Sequence, residues 1–178
     1  MTNKGLCSSI KNIGCGYIFL HISINLNTID LLPDWVAYAF FIQALPILGE
    51  EEESANLLKP LGIILAVLEV LFWVNKGFLG SGLPLGIVGV VSSVISLYFH
   101  FQLLTNLAEI AHKYGCSQEK KLLTLRTVKT ILTTVLTIIY SFWITSQITL
   151  GIAVVTLIVT IWICKVIFSF ANELEVMV

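Results

Sequence analysis

Polar residues interrupt an otherwise apolar sequence at Asn25-Leu-Asn-Thr-Ile-Asp-Leu-Leu-Pro-Asp-Trp35. The apolar run 35–48 follows at once, so the stretch is typical of the entrance to a membrane helix. Asp30 is predicted to be the N-cap of that helix and Asp34 to lie in its first turn, because the positive end of the helix dipole favours carboxylates. If the protein handles a polar solute, these two aspartates are expected to form its outer vestibule.

The composition of the whole chain indicates a membrane protein. Of its 178 residues, 57% are hydrophobic and 12% are charged, whereas soluble domains are about half apolar and about a quarter charged. The net charge of −1 provides no basic face for nucleic acid. Because the composition is so apolar, the expected partner is the lipid bilayer. The four cysteines are scattered and form no C-x-x-C pair, so no metal site, cofactor or disulfide framework is expected.

Six segments approach the length of about 20 mostly apolar residues that a spanning helix needs. The sequence therefore predicts an all-α, polytopic transmembrane helix bundle that forms one domain. The predicted helices cover about 5–24, 32–48, 57–74, 85–111, 122–143 and 148–170. The first is the weakest, because polar residues shorten its apolar run, and Pro46 is expected to bend or end the second.

Basic residues orient the predicted bundle. The region 112–129 holds half of the 10 lysines and arginines, so the positive-inside rule places it in the cytoplasm. Counting back through the spans puts residues 25–34 outside and both termini in the cytoplasm. The chain is therefore expected to be a multi-pass protein of the cell membrane.

One carboxylate is expected in the middle of a span. Glu69 lies in the apolar stretch 65–73, where a carboxylate costs on the order of 2–3 kcal/mol, so it should face protein or water and have a partner. At about 1.5 Å per residue, it lies at the depth of Ser92 and Ser93, with His100 deeper. Glu69 is either a proton-handling, cation-handling or substrate-binding carboxylate, or a protonated acid hydrogen-bonded to serines for packing.

Small and polar residues share one face on each of two helices. On the fourth helix these residues are Gly82, Gly86, Gly89, Ser93, Ser96 and His100. On the fifth helix they are Thr124, Thr127, Thr130, Thr134, Thr137, Ser141 and Thr145. Small residues let helices approach closely in lipid, and threonine can bond to its own helix. A packing seam is therefore favoured over a substrate groove, and both faces are expected to line the bundle interior.

The residues before and within the second helix carry a resemblance to a known group of proteins. An Asn…Asp-x-Leu-Pro-Asp-Trp/Phe-x-Gly-Tyr pattern is matched by Asn25, Asp30, Leu32, Pro33, Asp34, Trp35 and Tyr38, and Ala37 stands in the glycine position. In this respect the chain resembles small uncharacterised bacterial polytopic membrane proteins. The resemblance covers roughly the first two helices and implies a class without an assigned activity.

Two functional hypotheses remain open. The first is a solute-binding or transport module for a small polar solute. Its interior would contain Glu69, Ser92, Ser93, Ser96 and His100, and its mouth Asp30 and Asp34. The second is a non-catalytic interaction protein, such as a sensor, immunity factor or assembly partner, that binds another membrane protein. An enzyme is not expected, because no nucleophile and base share a plausible geometry. A water-accessible cavity that reaches Glu69 favours the first hypothesis, and a dry interior favours the second.

Overall fold

The computed structural model describes residues 3–21, 25–26, 29–30, 32–80, 86–142 and 146–177. In chain order the elements are α1 (Asn3–Phe19), β1 (Asn25–Leu26), β2 (Ile29–Asp30), α2 (Trp35–Glu51), a 3-10 helix (Glu53–Leu57), α3 (Leu58–Gly77), α4 (Gly86–Lys113), α5 (Glu119–Phe142) and α6 (Ser146–Val176). Apart from the minimal β1–β2 ladder, the described chain is helical. The prediction of an all-α fold with six helices is confirmed.

Three helical stretches of the described chain are long and apolar enough to cross a membrane. These are Glu53–Gly77, Gly86–Lys113 and Val154–Val176. The first two helices have 17 residues each, slightly fewer than the about 20 that a perpendicular span needs. The long apolar helices indicate a membrane protein.

The helices pack in a closed cyclic order. Each α-helix contacts the next one along the chain, and α1 also packs against α6. Close approaches occur where a glycine faces a ring: a Cβ at Gly16 would meet the Phe41 ring, and one at Gly14 would meet Phe168. These glycines let α1 pack closely against α2 and α6.

Buried apolar side chains concentrate at one end of the bundle, which we call the packed end. It comprises residues 6–17, 37–48, 55–65, 99–111, 116–125 and 163–174, where most of the buried apolar side chains lie. The remaining parts of α3 and α4 expose large apolar side chains, including Val67, Leu71, Ile87 and Val94. Apolar side chains that point outward from a bundle of this composition are suited to contact with lipid tails.

Ion pairs and hydrogen bonds join the helix ends at the packed end. Lys113 Nζ lies 2.6 Å from Glu51 Oε2, and Lys11 Nζ lies 2.6 Å from Glu175 Oε2. The Ser117 backbone N–H donates to Glu173 Oε1 at 2.7 Å. These contacts connect α2 with α4, α1 with α6, and the α4–α5 turn with α6.

The stretch before α2 differs from its prediction. Helix α1 ends at Phe19 rather than at residue 24, and Asn25 then pairs with Asp30 in the β1–β2 ladder. Asp30 is therefore not an N-cap, and that prediction was wrong. Helix α2 begins after Pro33, because proline disfavours helical backbone in the residue before it. Asp34 occupies the N-cap position, although its side chain makes no capping hydrogen bond.

Two further predictions about helix packing are corrected. Pro46 was expected to bend or end α2, and it does not end the helix, which continues to Glu51 and buries Leu45 and Leu48 on either side of the proline. The packing seam on α4 does not bring helices together at Gly86 and Gly89, because a Cβ at either position would meet nothing within 4 Å. Gly82 lies outside the described residues.

Candidate functional site

A cavity of about 180 Å³ lies between the helices, and we call it the Glu69 cavity. Helices α2, α3, α4 and α5 all contribute to its wall. Its polar lining residues are Tyr38, Glu69, Ser96, His100, Arg126, Lys129, Thr130 and Thr133. The interior of the bundle is therefore polar at the level where the packed end stops.

The charged residues of this cavity lie far from the helix ends. Helix α5 begins at Glu119, so Arg126 and Lys129 are about 10 and 15 Å along it. Helix α3 begins at Leu58, which puts Glu69 about 16 Å along that helix. In a spanning bundle, a Lys or Arg at such a depth costs about 2.5–3.5 kcal/mol even on the lenient insertion scale, and such residues usually line water or bind something.

The basic side chains lie on one face of α5. Arg126, Lys129, Thr130 and Thr133 follow the helical spacing of three and four residues, which turns them toward the same side. The Arg126 guanidinium lies 4.8 Å from the centroid of the Phe101 ring, and its Nη1 donates to Thr105 Oγ1 at 3.3 Å.

Arg126 and Lys129 each contact an aromatic ring, and neither forms an ion pair with a described carboxylate. Lys129 Nζ lies 5.6 Å from the centroid of the Tyr17 ring, within the range of a cation–π contact. None of the three ion pairs among the described residues includes Arg126, Lys129 or Glu69. The cavity therefore contains two basic groups and one carboxyl group that are not paired with one another.

His100 forms the floor of the cavity. It is 4% exposed, and the rings of Tyr17, Phe41 and Phe99 lie 5.3, 5.7 and 5.4 Å from its own. Its Nδ1 lies 3.2 Å from the Tyr17 hydroxyl, whereas its Nε2 has no hydrogen-bond partner among the described residues. A polar nitrogen this deeply buried is costly unless it makes a hydrogen bond.

The structure brings three of the predicted site residues together. Glu69, Ser96 and His100 line the Glu69 cavity, where the Tyr38 hydroxyl lies 3.3 Å from Ser96 Oγ. The expected neighbours of Glu69 were Ser92 and Ser93, but the serine that lines the cavity with Glu69 is Ser96, one helical turn further along α4.

Ser92, Ser93 and Asp34, which were also predicted site residues, do not line the Glu69 cavity. Ser93 Oγ donates to Gly89 O at 2.9 Å and borders a second cavity of about 380 Å³ between α4 and α5. Ser92 is buried and does not line the Glu69 cavity. Asp34 lies at the start of α2 and lines neither cavity. The side chain of Asp30 lies outside the described part of the chain, so the vestibule stays a prediction.

The threonine stripe on α5 faces inward only in part, since Thr130 lines the Glu69 cavity and Thr137 borders the second cavity. Thr124, Thr127 and Thr134 are exposed rather than interior. A side-chain hydroxyl donates a hydrogen bond to the carbonyl group four residues earlier on the same helix at Thr124, Thr127 and Thr130. The inward face of α5 also carries Arg126 and Lys129. Thr145 and the side chain of Ser141 lie outside the described residues.

Sequence reasoning missed the basic residues of the cavity. Arg126 and Lys129 were counted with the basic connection that orients the protein, although both lie well within α5. The signal was present in the sequence, since 126, 129, 130 and 133 fall on one helical face within a segment rich in Leu, Ile and Thr. Only the packing of α5 against α4 shows which face points inward.

The chain matches no family model, no curated protein and no solved structure. Among the described residues, no group of three His, Cys, Asp or Glu side chains is arranged to hold a metal ion. The chemistry of the Glu69 cavity therefore has to be argued from its own side chains.

Proposed function

We propose that this chain is a multi-pass membrane protein that binds a small polar solute in the Glu69 cavity and conducts it toward one side of the membrane. All six helices span the bilayer in this proposal, with both termini and the packed end in the cytoplasm. The observation that carries the proposal is a polar cavity at mid-helix depth that contains an intramembrane carboxyl group. Ionisable residues inside membrane bundles usually mark such pathways.

A second cavity supports a route from the outer side. It is lined by Gly86, Gly89 and Ser93 near the start of α4, and it shares Thr133 with the Glu69 cavity. The small side chains that were expected to form a packing seam thus border open space between α4 and α5. In the proposed topology the start of α4 is extracellular, so this gap leads from outside to Glu69.

Water access to Thr133 tests the proposal. The native cysteines are replaced by alanine, Thr133→Cys is introduced, and the protein in proteoliposomes is treated with a membrane-impermeant, charged thiol reagent. Modification requires an ionised thiol in contact with water. We expect Thr133→Cys to react, because it borders both cavities.

Thr134→Cys is the matched control, since Thr134 is the adjacent threonine on the exposed face of α5 and should be covered by lipid. Fast reaction at position 133 with slow reaction at 134 supports the proposal. Equally slow reaction at both positions would mean a dry interior, and the non-catalytic interaction protein would then be the better interpretation.

A further inference from the structure

We infer that the Glu69 cavity selects a small oxyanion, a carboxylate or phosphate group, which is held by Arg126, Lys129 and His100. This inference rests on the proposed function and names the chemical class of its solute. The two cations face one carboxyl group without forming an ion pair with it. Neither cation forms an ion pair with another described side chain, so both can bind an anion in the cavity.

The free donors of the site match an oxyanion. Arg126 uses Nη1 for Thr105, and its buried Nε has no partner among the described residues. A guanidinium with unused N–H groups suits the planar, paired oxygens of carboxylate and phosphate. Lys129 adds an ammonium whose described contact is the Tyr17 ring, so its N–H groups can turn toward the ligand.

His100 supplies a neutral donor. When the Tyr17 hydroxyl donates to His100 Nδ1, the imidazole proton lies on Nε2, the nitrogen that has no partner among the described residues. That N–H can donate to an anionic oxygen without a change of charge on the ring. Two cations and one neutral donor thus converge on a space of about 180 Å³, which suits a small anionic group.

Thermal unfolding of the full chain in an uncharged maltoside detergent tests the inference. Sodium phosphate and sodium acetate are compared with sodium chloride at equal ionic strength. Because a ligand stabilises the state that binds it, we expect either oxyanion to raise the Tm of the native protein by about 2–4 °C over chloride.

Lys129→Met and Arg126→Gln should abolish this rise, and Lys120→Gln should retain it. Lys120 is an exposed lysine of the same helix that does not line the cavity. Removing an unpaired, half-buried charge relieves a desolvation cost, so Lys129→Met is expected to fold and to have an equal or higher Tm in chloride. The loss of the oxyanion effect can therefore be separated from a loss of folding.

A second experiment distinguishes a soluble anion from the headgroup of a lipid. Phosphatidylglycerol is added to the same micelles without phosphate or acetate. A rise with the free oxyanions supports a soluble solute, and a Lys129-dependent rise with phosphatidylglycerol alone supports a lipid headgroup. If neither treatment stabilises the native protein more than Lys129→Met, the inference is overturned. That result would leave the proposed function standing as long as Thr133→Cys reacts with the thiol reagent.

Discussion

Single glycines in this bundle differ sharply in what they tolerate. Gly16 lies against the Phe41 ring, and Phe41 is fully buried and has no room to shift. We expect Gly16→Ala to lower the free energy of unfolding by about 1–3 kcal/mol, because overpacking a filled site strains its neighbours. Equilibrium unfolding of the purified protein measures the change.

Gly86→Ala is the matched control for Gly16→Ala. A Cβ at Gly86 would meet nothing within 4 Å, so this variant should change stability by about 0.5 kcal/mol or less. A loss at Gly86 as large as that at Gly16 would contradict the packing described around α1.

Residue identity predicted only part of the site. Glu69 was predictable as a candidate because a carboxylate in an apolar run needs an explanation in any fold. Lys129 was not, since a basic residue near a predicted helix start is explained equally well by a cytoplasmic loop. The distinction depends on which face of α5 turns inward, and that is decided by packing against α4.

Helix ends are joined by an ion pair whose strength depends on pH. The hydrogen bond from Lys113 holds the pKa of the Glu51 carboxyl below its ordinary value of 4.5. A carboxyl group with a lowered pKa stabilises the folded state above its unfolded pKa, and this contribution is lost as the pH falls through its folded pKa. Acidification from neutral pH to below 4.5 should therefore weaken the α2–α4 connection.

Glu51→Gln should reduce the fall in Tm that acidification causes, since the variant has no carboxyl to protonate at this position. Glu53→Gln, two residues later, is the control. Glu53 is exposed and takes part in none of the three ion pairs among the described residues. Identical acid sensitivity in the two variants would show that the Glu51–Lys113 contact adds nothing to stability. The effect is expected to be small, because Lys113 is 55% exposed and solvent screens the pair.

The sequence predicted the helices better than their ends. Apolar runs bounded by glycine, proline and charged residues identified all six. Their termini depend on local backbone chemistry that hydropathy does not report, as the short ladder after α1 and the start of α2 behind Pro33 show. A count of depth along α4 also does not show which serine faces Glu69: Ser96 lines the cavity, and Ser92 and Ser93 do not.

The orientation of the whole molecule can be tested at two similar turns. Gly80 and Gly115 both have positive φ, and both have open space around them. An epitope tag inserted after Gly80 should bind antibody in intact spheroplasts, whereas one after Gly115 should bind only after permeabilisation. The reason is that Lys113, Lys120 and Lys121 flank Gly115 and favour the cytoplasmic side.

A reversed labelling pattern would invert the proposed orientation, and labelling of both tags from one side would show that α4 does not cross the membrane. The charge count alone could not decide this point. Two of the five basic residues between 112 and 129 belong to the cavity rather than to a loop, so the cytoplasmic assignment depends on the remaining three.

The contact between α1 and α6 has a consequence for how the bundle assembles. Lys11 and Glu175 are 164 positions apart in the sequence, yet they lie side by side. Closing so large a loop carries a larger entropic cost than pairing helices that are neighbours in the chain. The ring of helices, with the Glu69 cavity inside it, therefore becomes complete only when α6 packs against α1.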